Sequence, residues 1–260
     1  MTIVDVQINP ASTPWPVYAE CSRRAEELGF GALWVYDHLA GSTLRGETML
    51  EAIALLGGLS TMTSTIGIGA MVLNAGLRRP SVLAASLASL QTISGGRLLV
   101  GLGAGAAPGT RWSGELDAAR IPIGATMRER HDHVVETIDM CRRMWAGSLE
   151  FSGFPQPDPA PPMLVGVNSE ALTRIAVSHA DGINVLLTNP RHRHFVDVAR
   201  EASSGNAVIT VTAWAPSWDL SATALSLAAA RALAPERIVL AMIGPGSVGA
   251  VERLAELALS

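Results

Sequence analysis

Eight times along its length this chain passes from a short β-branched run to a longer run with helical spacing. That strict alternation constrains the fold more than any other feature. The β-branched runs fall at residues 3–8, 32–36, 66–73, 98–102, 163–167, 182–187, 208–212 and 238–242. The helical runs between and after them fall at 17–28, 47–62, 81–93, 127–145, 170–179, 193–202, 222–233 and 248–257. A strand that returns through a helix to the next strand makes a parallel sheet. Eight such units close on themselves, whereas an open doubly wound sheet usually has fewer. The expected architecture is therefore an α/β chain folded as a (β/α)8 TIM barrel, one domain over 1–260, with the open sheet as the alternative. Local punctuation agrees: Gly29 follows the first helix as a C′ glycine, and Pro80 opens the third helix.

A sheet covered on both faces needs an aliphatic interior. The chain is 48% hydrophobic but only 5% aromatic, which suits that demand. All nineteen basic residues are Arg, so Schiff-base and P-loop lysine chemistry is excluded. The net charge is −4 and no basic cluster is present, which argues against nucleic acid. Cys21 and Cys141 are far apart and lie in helical runs, giving neither a disulfide framework nor a CxxC site. The first ten residues lack a basic stretch followed by an apolar one, and no apolar window is long enough to span a bilayer. A cytoplasmic protein is expected.

Two segments break the rhythm. Residues 103–124 follow a strand, so they lie on the carboxyl-end face where barrels hold their active sites; a lid is expected there. The Pro-rich segment 147–162 follows a helix and is expected to cross the opposite face.

Strand ends then supply the candidate chemistry. Asp37 and His38 end the second strand, and an imidazole there can exchange protons or hydrogen bonds with a substrate, or else cap its own loop. Gly101, Gly103 and Gly105 end the fourth strand, but their spacing is not a dinucleotide fingerprint. They either let a flat ligand lie on bare backbone or make a tight turn. Gly166, Val167, Asn168 and Ser169 end the fifth strand and open a helix, where amides can receive a phosphate or simply an N-cap. His192 and His194 could meet an anion or be a solvated loop. His131 and His133 stand two apart on a helix and cannot share a metal; no metal spacing and no Gly-x-Ser-x-Gly elbow occurs.

Four stretches resemble the bacterial luciferase-like family: AECSRRAEELGFGALWVYDHL, STIGIGAMVLNAGLRRPSVLAASLASLQTISGGRLLVGLGAG, MRERHDHVVETIDMCRRMW and PPMLVGVNSEALTRIAVSHADGINV. Together they cover most of residues 18–185, in the family's order and spacing. The resemblance implies a barrel that binds coenzyme F420, favoured here, or FMN across its mouth. It implies that Asp37 and His38 lie near the reactive ring edge as catalytic residues. It places a bulge, often with a non-proline cis peptide, around Ala70 to Leu73, so that Ala70, Met71, Val72 and the neighbouring Asn74 back the ring. It puts Gly103, Ala104 and Gly105 against the ring or ribityl chain and Gly166, Val167, Asn168 and Ser169 around the phosphate. The implied activity is hydride transfer to, or monooxygenation of, a small organic substrate.

The chain also departs from the pattern. Many F420-binding members carry an acid just after the strand-four glycines, where this chain has Ala106 and Ala107, and the region after strand seven, 214–220, is short. A barrel that binds the cofactor without turnover is the rival reading, and an isomerase or aldolase sharing only the architecture is a third. Trp112 or Trp214 could wall the pocket. The second and third helices are rich in Ala, Ser, Gly and Leu around much of their circumference, more than one buried stripe requires, so a homodimer through them is expected.

Overall fold

The structure is a computed structural model that describes residues 2–216 and 218–259. Eight strands, β1 (Ile3–Gln7), β2 (Ala32–Val35), β3 (Gly67–Asn74), β4 (Leu98–Gly103), β5 (Met163–Val167), β6 (Gly182–Leu186), β7 (Val208–Pro216) and β8 (Arg237–Ile243), form a closed barrel in sequence order. Every neighbouring pair is parallel, including β1 with β8, which closes the ring. The helices are α1 (Trp15–Leu28), α2 (Ala52–Met62), α3 (Pro80–Ile93), a short α4 (Gly114–Ala118), α5 (Met127–Trp145), α6 (Glu170–His179), α7 (His192–Ala202), α8 (Leu220–Arg231) and α9 (Val248–Ala258). The closed ring settles the choice against the open sheet.

Local chemistry explains several boundaries. The α2 helix begins at Ala52 rather than near residue 47, because the Glu51 carboxylate accepts the Ala54 amide at 2.9 Å and acts as its N-cap. The α5 helix opens on a capping box between Thr126 and Glu129. The β7 strand runs four residues past the expected end at 212. Its pairing continues from Ala213 with Leu240 to Pro216 with Ile243, and this tertiary partner is invisible in local sequence. The segment after strand four is not structureless, since α4 folds within it.

Alternate strand residues divide into two cores. The larger lies between the barrel and its helices, built from Leu, Val, Ile and Ala. The smaller fills the barrel with Ala32, Trp34, Met71, Leu164 and Val239. At about 25 cal/mol per Å2 such aliphatic burial supplies most of the folding drive. Toward the amino-end of the barrel Asp5 is buried, accepting two hydrogen bonds from Arg237 at 2.8 Å and one from Trp34 Nε1 at 2.9 Å. Burial pushes the Asp5 carboxyl up despite those partners. The ends of β2 to β5 are left free to shape the opposite mouth.

Candidate active site

A cavity of about 370 Å3 opens at the carboxyl ends of β2 to β5. Its wall includes Tyr36, Asp37 and His38 after β2, and Met71, Val72 and Asn74 from β3. Gly103, Ala104, Gly105 and Ala106 contribute from the end of β4, and Gly166 and Asn168 from the end of β5. The structure thus brings together most of the residues singled out from the sequence. Ala70 and Val167 are buried beside this cavity rather than lining it. Ser169 is also outside the lining; its hydroxyl accepts the Leu172 amide at 3.2 Å as the N-cap of α6.

Asp37 and His38 are adjacent in sequence but differently employed. The Asp37 carboxylate is fully enclosed and accepts from both terminal guanidinium nitrogens of Arg78, Nη1 and Nη2, at 2.8 and 2.7 Å, and from the Asn74 amide at 2.8 Å. Arg78 also bonds Glu51. Burial works against the Arg78 charge, but the bonds to Asp37 and Glu51 outweigh it and raise its pKa. Asp37 therefore ties the end of β2 to the end of β3 and to the start of α2.

His38 is held by a residue the sequence did not reveal. Its Nδ1 lies 2.7 Å from Glu115 Oε1, on α4. Glu115 Oε2 accepts the Leu39 and Ala40 amides at 2.8 and 2.9 Å and the Thr43 hydroxyl at 3.1 Å. Burial disfavours the Glu115 charge, yet the bonds from His38, Ala40 and Leu39 prevail and hold its carboxyl below the usual value. An ionised carboxylate only accepts, so Nδ1 of His38 carries the proton and Nε2 is left for a ligand. Trp112 stacks on the imidazole at 5.9 Å between ring centroids, and the Arg111 guanidinium lies 3.9 Å above the Trp112 ring. The expected acid is absent at Ala106 and Ala107, and Glu115 reaches the site from further along the same insertion. The available hint was a pair of acids, Glu115 and Asp117, in a Gly/Pro-rich segment placed on the catalytic face; the 77 positions between Glu115 and His38 hid the contact.

The glycines after β4 have a specific reason. The register of β3 against β4 shifts between Ala70 and Leu73, and the Met71–Val72 peptide within that shift is cis. Val72 swings over β4 and β5. A Cβ placed on Gly103 would sit 2.5 Å from Val72 Cγ2, and one on Gly166 3.0 Å from Val72 Cγ1. Gly105 has φ +71°, and a Cβ there would meet Asn74 Oδ1 at 2.5 Å. These glycines make room first for β3 side chains, which then present the cavity surface.

The remaining histidines stay outside the cavity: His192 Nδ1 lies 2.7 Å from the Asn189 carbonyl, and His194 pairs with Glu170. Trp112 lines the cavity while Trp214 does not. Among the described residues no group of His, Cys, Asp and Glu could hold a metal ion, and no helix is long and apolar enough to cross a membrane.

Comparison with known proteins agrees with this geometry. The family model described as luciferase-like monooxygenase matches residues 4–208. An F420-dependent glucose-6-phosphate dehydrogenase of Nakamurella multipartita is 26% identical over 179 residues, covering 63% of this chain and 50% of that protein. An F420-dependent hydroxymycolic acid dehydrogenase of Mycobacterium tuberculosis is 30% identical over 176 residues, covering 62% and 46%. The chain thus spans about half the length of these curated relatives. In fold it is similar to an F420-dependent secondary alcohol dehydrogenase solved with an F420-acetone adduct, with a TM-score of 0.77, 16% identity and coverage of 99% and 98%. With a mouth built from the ends of β2 to β5 and a family model that matches most of its length, this chain belongs to the luciferase-like monooxygenase family.

Proposed function

We propose that this barrel, as one domain over 1–260, is an oxidoreductase that uses coenzyme F420, or FMN in its place, to exchange a hydride with a small organic substrate. The observation that carries the reading is the His38–Glu115 pair in the wall of a cavity that also holds Gly166 and Asn168. The residues fit a planar phosphorylated group. Val72 and Gly103 offer a surface for a flat ring, and α6 opens beside Gly166 with its first-turn Glu170 and Ala171 amides lacking partners within the helix. Gly166 and Asn168 would hold the phosphate where Ser169 caps α6, and Met71, Val72 and Asn74 the back of the ring, with Val167 and Ala70 packed behind them. Gly103, Ala104 and Gly105 would pass beside its tail.

When bound, the cofactor supplies the hydride chemistry, and the protein supplies position and proton control. His38, with Nδ1 bonded to Glu115, accepts a proton or hydrogen bond at Nε2 from a substrate hydroxyl and returns it in the reverse direction. Asp37 keeps the His38 loop in register through Arg78 and Asn74. Trp112 covers the imidazole from one face.

We further propose a cytoplasmic homodimer formed through α2 and α3. Val82 and Ile93, 57% and 55% exposed on α3, support that surface. Sedimentation is expected to give a dimer at micromolar concentration; a monomer rejects this part.

Titration of purified protein with oxidised F420 and, separately, with FMN tests the main reading. Saturable binding of one of them, followed by reduction of the bound cofactor by an alcohol donor, is the expected result. Binding of neither overturns the reading, and tight binding with no turnover by any donor favours a non-catalytic cofactor carrier.

A further inference from the structure

At the register shift, β3 spends two residues, Met71 and Val72, where β4 spends one, Gly101. Such a bulge takes backbone groups out of the ladder, and each buried one needs another partner. The Met71 carbonyl finds it inside the barrel. Gln7, at the end of β1 and 1% exposed, donates from Nε2 to Met71 O at 2.8 Å and to Val35 O at 3.3 Å. Both neighbours are carbonyl oxygens, so the amide nitrogen must face them. The β1 strand does not pair with β3, since β2 lies between them. Gln7 therefore reaches past β2 to grip the bulge from within. On the far side Val72 rests where Gly101, Gly103 and Gly166 lack side chains, its methyls 3.3, 2.5 and 3.0 Å from the Cβ positions those residues would have. The bulge is thus held at Met71 by one carboxamide and received at Val72 by three glycines.

We propose that Gln7 is a positioning residue for the cofactor site: by holding the Met71 carbonyl it sets where Val72 stands in the cavity wall, and so how tightly a planar ring is held there. The cofactor part of this statement rests on the functional reading above. Gln7 itself is absent from the cavity lining, so its effect passes through Met71 and Val72.

Q7M tests it, because methionine keeps the reach and most of the volume but has no N–H to donate. The unliganded crystal structure of Q7M is expected to show the Met71 carbonyl turned and Val72 displaced from Gly103. The Kd for oxidised F420, read by fluorescence titration, is expected to rise at least tenfold in protein that still melts cooperatively. Val72 unmoved, or a Kd equal to that of the unaltered protein, overturns the proposal. Should Q7M fail to fold, Q7N keeps the amide with a shorter reach; the same displacement and a smaller rise in Kd are expected, and unaltered values again overturn it. If the unaltered protein binds neither F420 nor FMN, the functional reading fails, while the position of Val72 in the unliganded variant still decides what Gln7 does.

Discussion

Glu115 meets His38 at 2.7 Å although 77 positions separate them, and the same carboxylate takes two backbone amides of the His38 loop. One acid therefore fixes both the tautomer of the imidazole and the shape of the segment that carries it. This makes the insertion after β4 part of the site rather than a detachable cover.

For E115Q the expected outcome is a loss of turnover of about tenfold or more with F420 binding retained, and for H38A a loss on the order of a hundredfold. The glutamine can still bond Nδ1 but no longer dictates which nitrogen carries the proton. The Glu115 carboxyl lies below its ordinary value in the folded protein, so its contribution is present above that ordinary value and lost as pH falls through the depressed one. The acid limb of kcat/KM against pH should therefore change in E115Q, and an identical profile would count against this role.

G103A should damage the mouth without touching the chemistry. The new methyl would stand 2.5 Å from Val72 Cγ2, so Val72 or the β4 backbone must move. Overpacking of this kind costs about 1–3 kcal/mol. Denaturant melts should show that loss, accompanied by weaker F420 binding; a variant with unchanged stability would mean that Val72 moves aside freely.

D37N separates structure from catalysis. Asp37 is enclosed and bidentate to Arg78, and removing its charge leaves the guanidinium with Glu51 as its remaining carboxylate partner, at a cost of about 3 kcal/mol, the low end for a broken buried pair. The expected result is a marked fall in melting temperature, with R78M showing a comparable fall. A catalytic role for Asp37 itself would instead appear as lost turnover in protein of normal stability.

Acid sensitivity has a further identifiable source. Glu26 accepts the amides of Ser64, Thr65 and Ile66 at 2.8, 2.6 and 3.0 Å, joining α1 to the turn before β3. Burial is the largest single influence and opposes its charge, but the three amides and the Thr65 hydroxyl together outweigh it and lower its pKa from 4.5 to about 2. A depressed carboxyl stabilises the fold above its unfolded value and loses that effect between pH 4.5 and about 2. E26Q should flatten the stability-pH curve in that window and cost about 1 kcal/mol at neutral pH, the partly exposed position limiting the effect. An unchanged acid limb in urea melts would exclude this source.

Much was legible in the sequence because it was local and periodic. The eightfold alternation dictated a parallel sheet and favoured a barrel over the open form, and strand ends in a barrel converge by geometry, so His38, Asn74, Gly103 and Gly166 could be placed at one mouth from their positions alone. What each does there depends on contacts across the ring. Asp37 and His38 look like a pair in the sequence, yet one is bound up with Arg78 and the other with Glu115. The glycines of β4 look like a ligand cradle, yet their immediate neighbour is Val72. Gln7 reads as an ordinary interior strand residue until the shift in β3 turns the Met71 carbonyl toward it. Periodicity reports which face of an element is buried; the partner of a buried hydrogen-bonding group is chosen by the folded chain, which brings together residues whose separation along the sequence carries no signal.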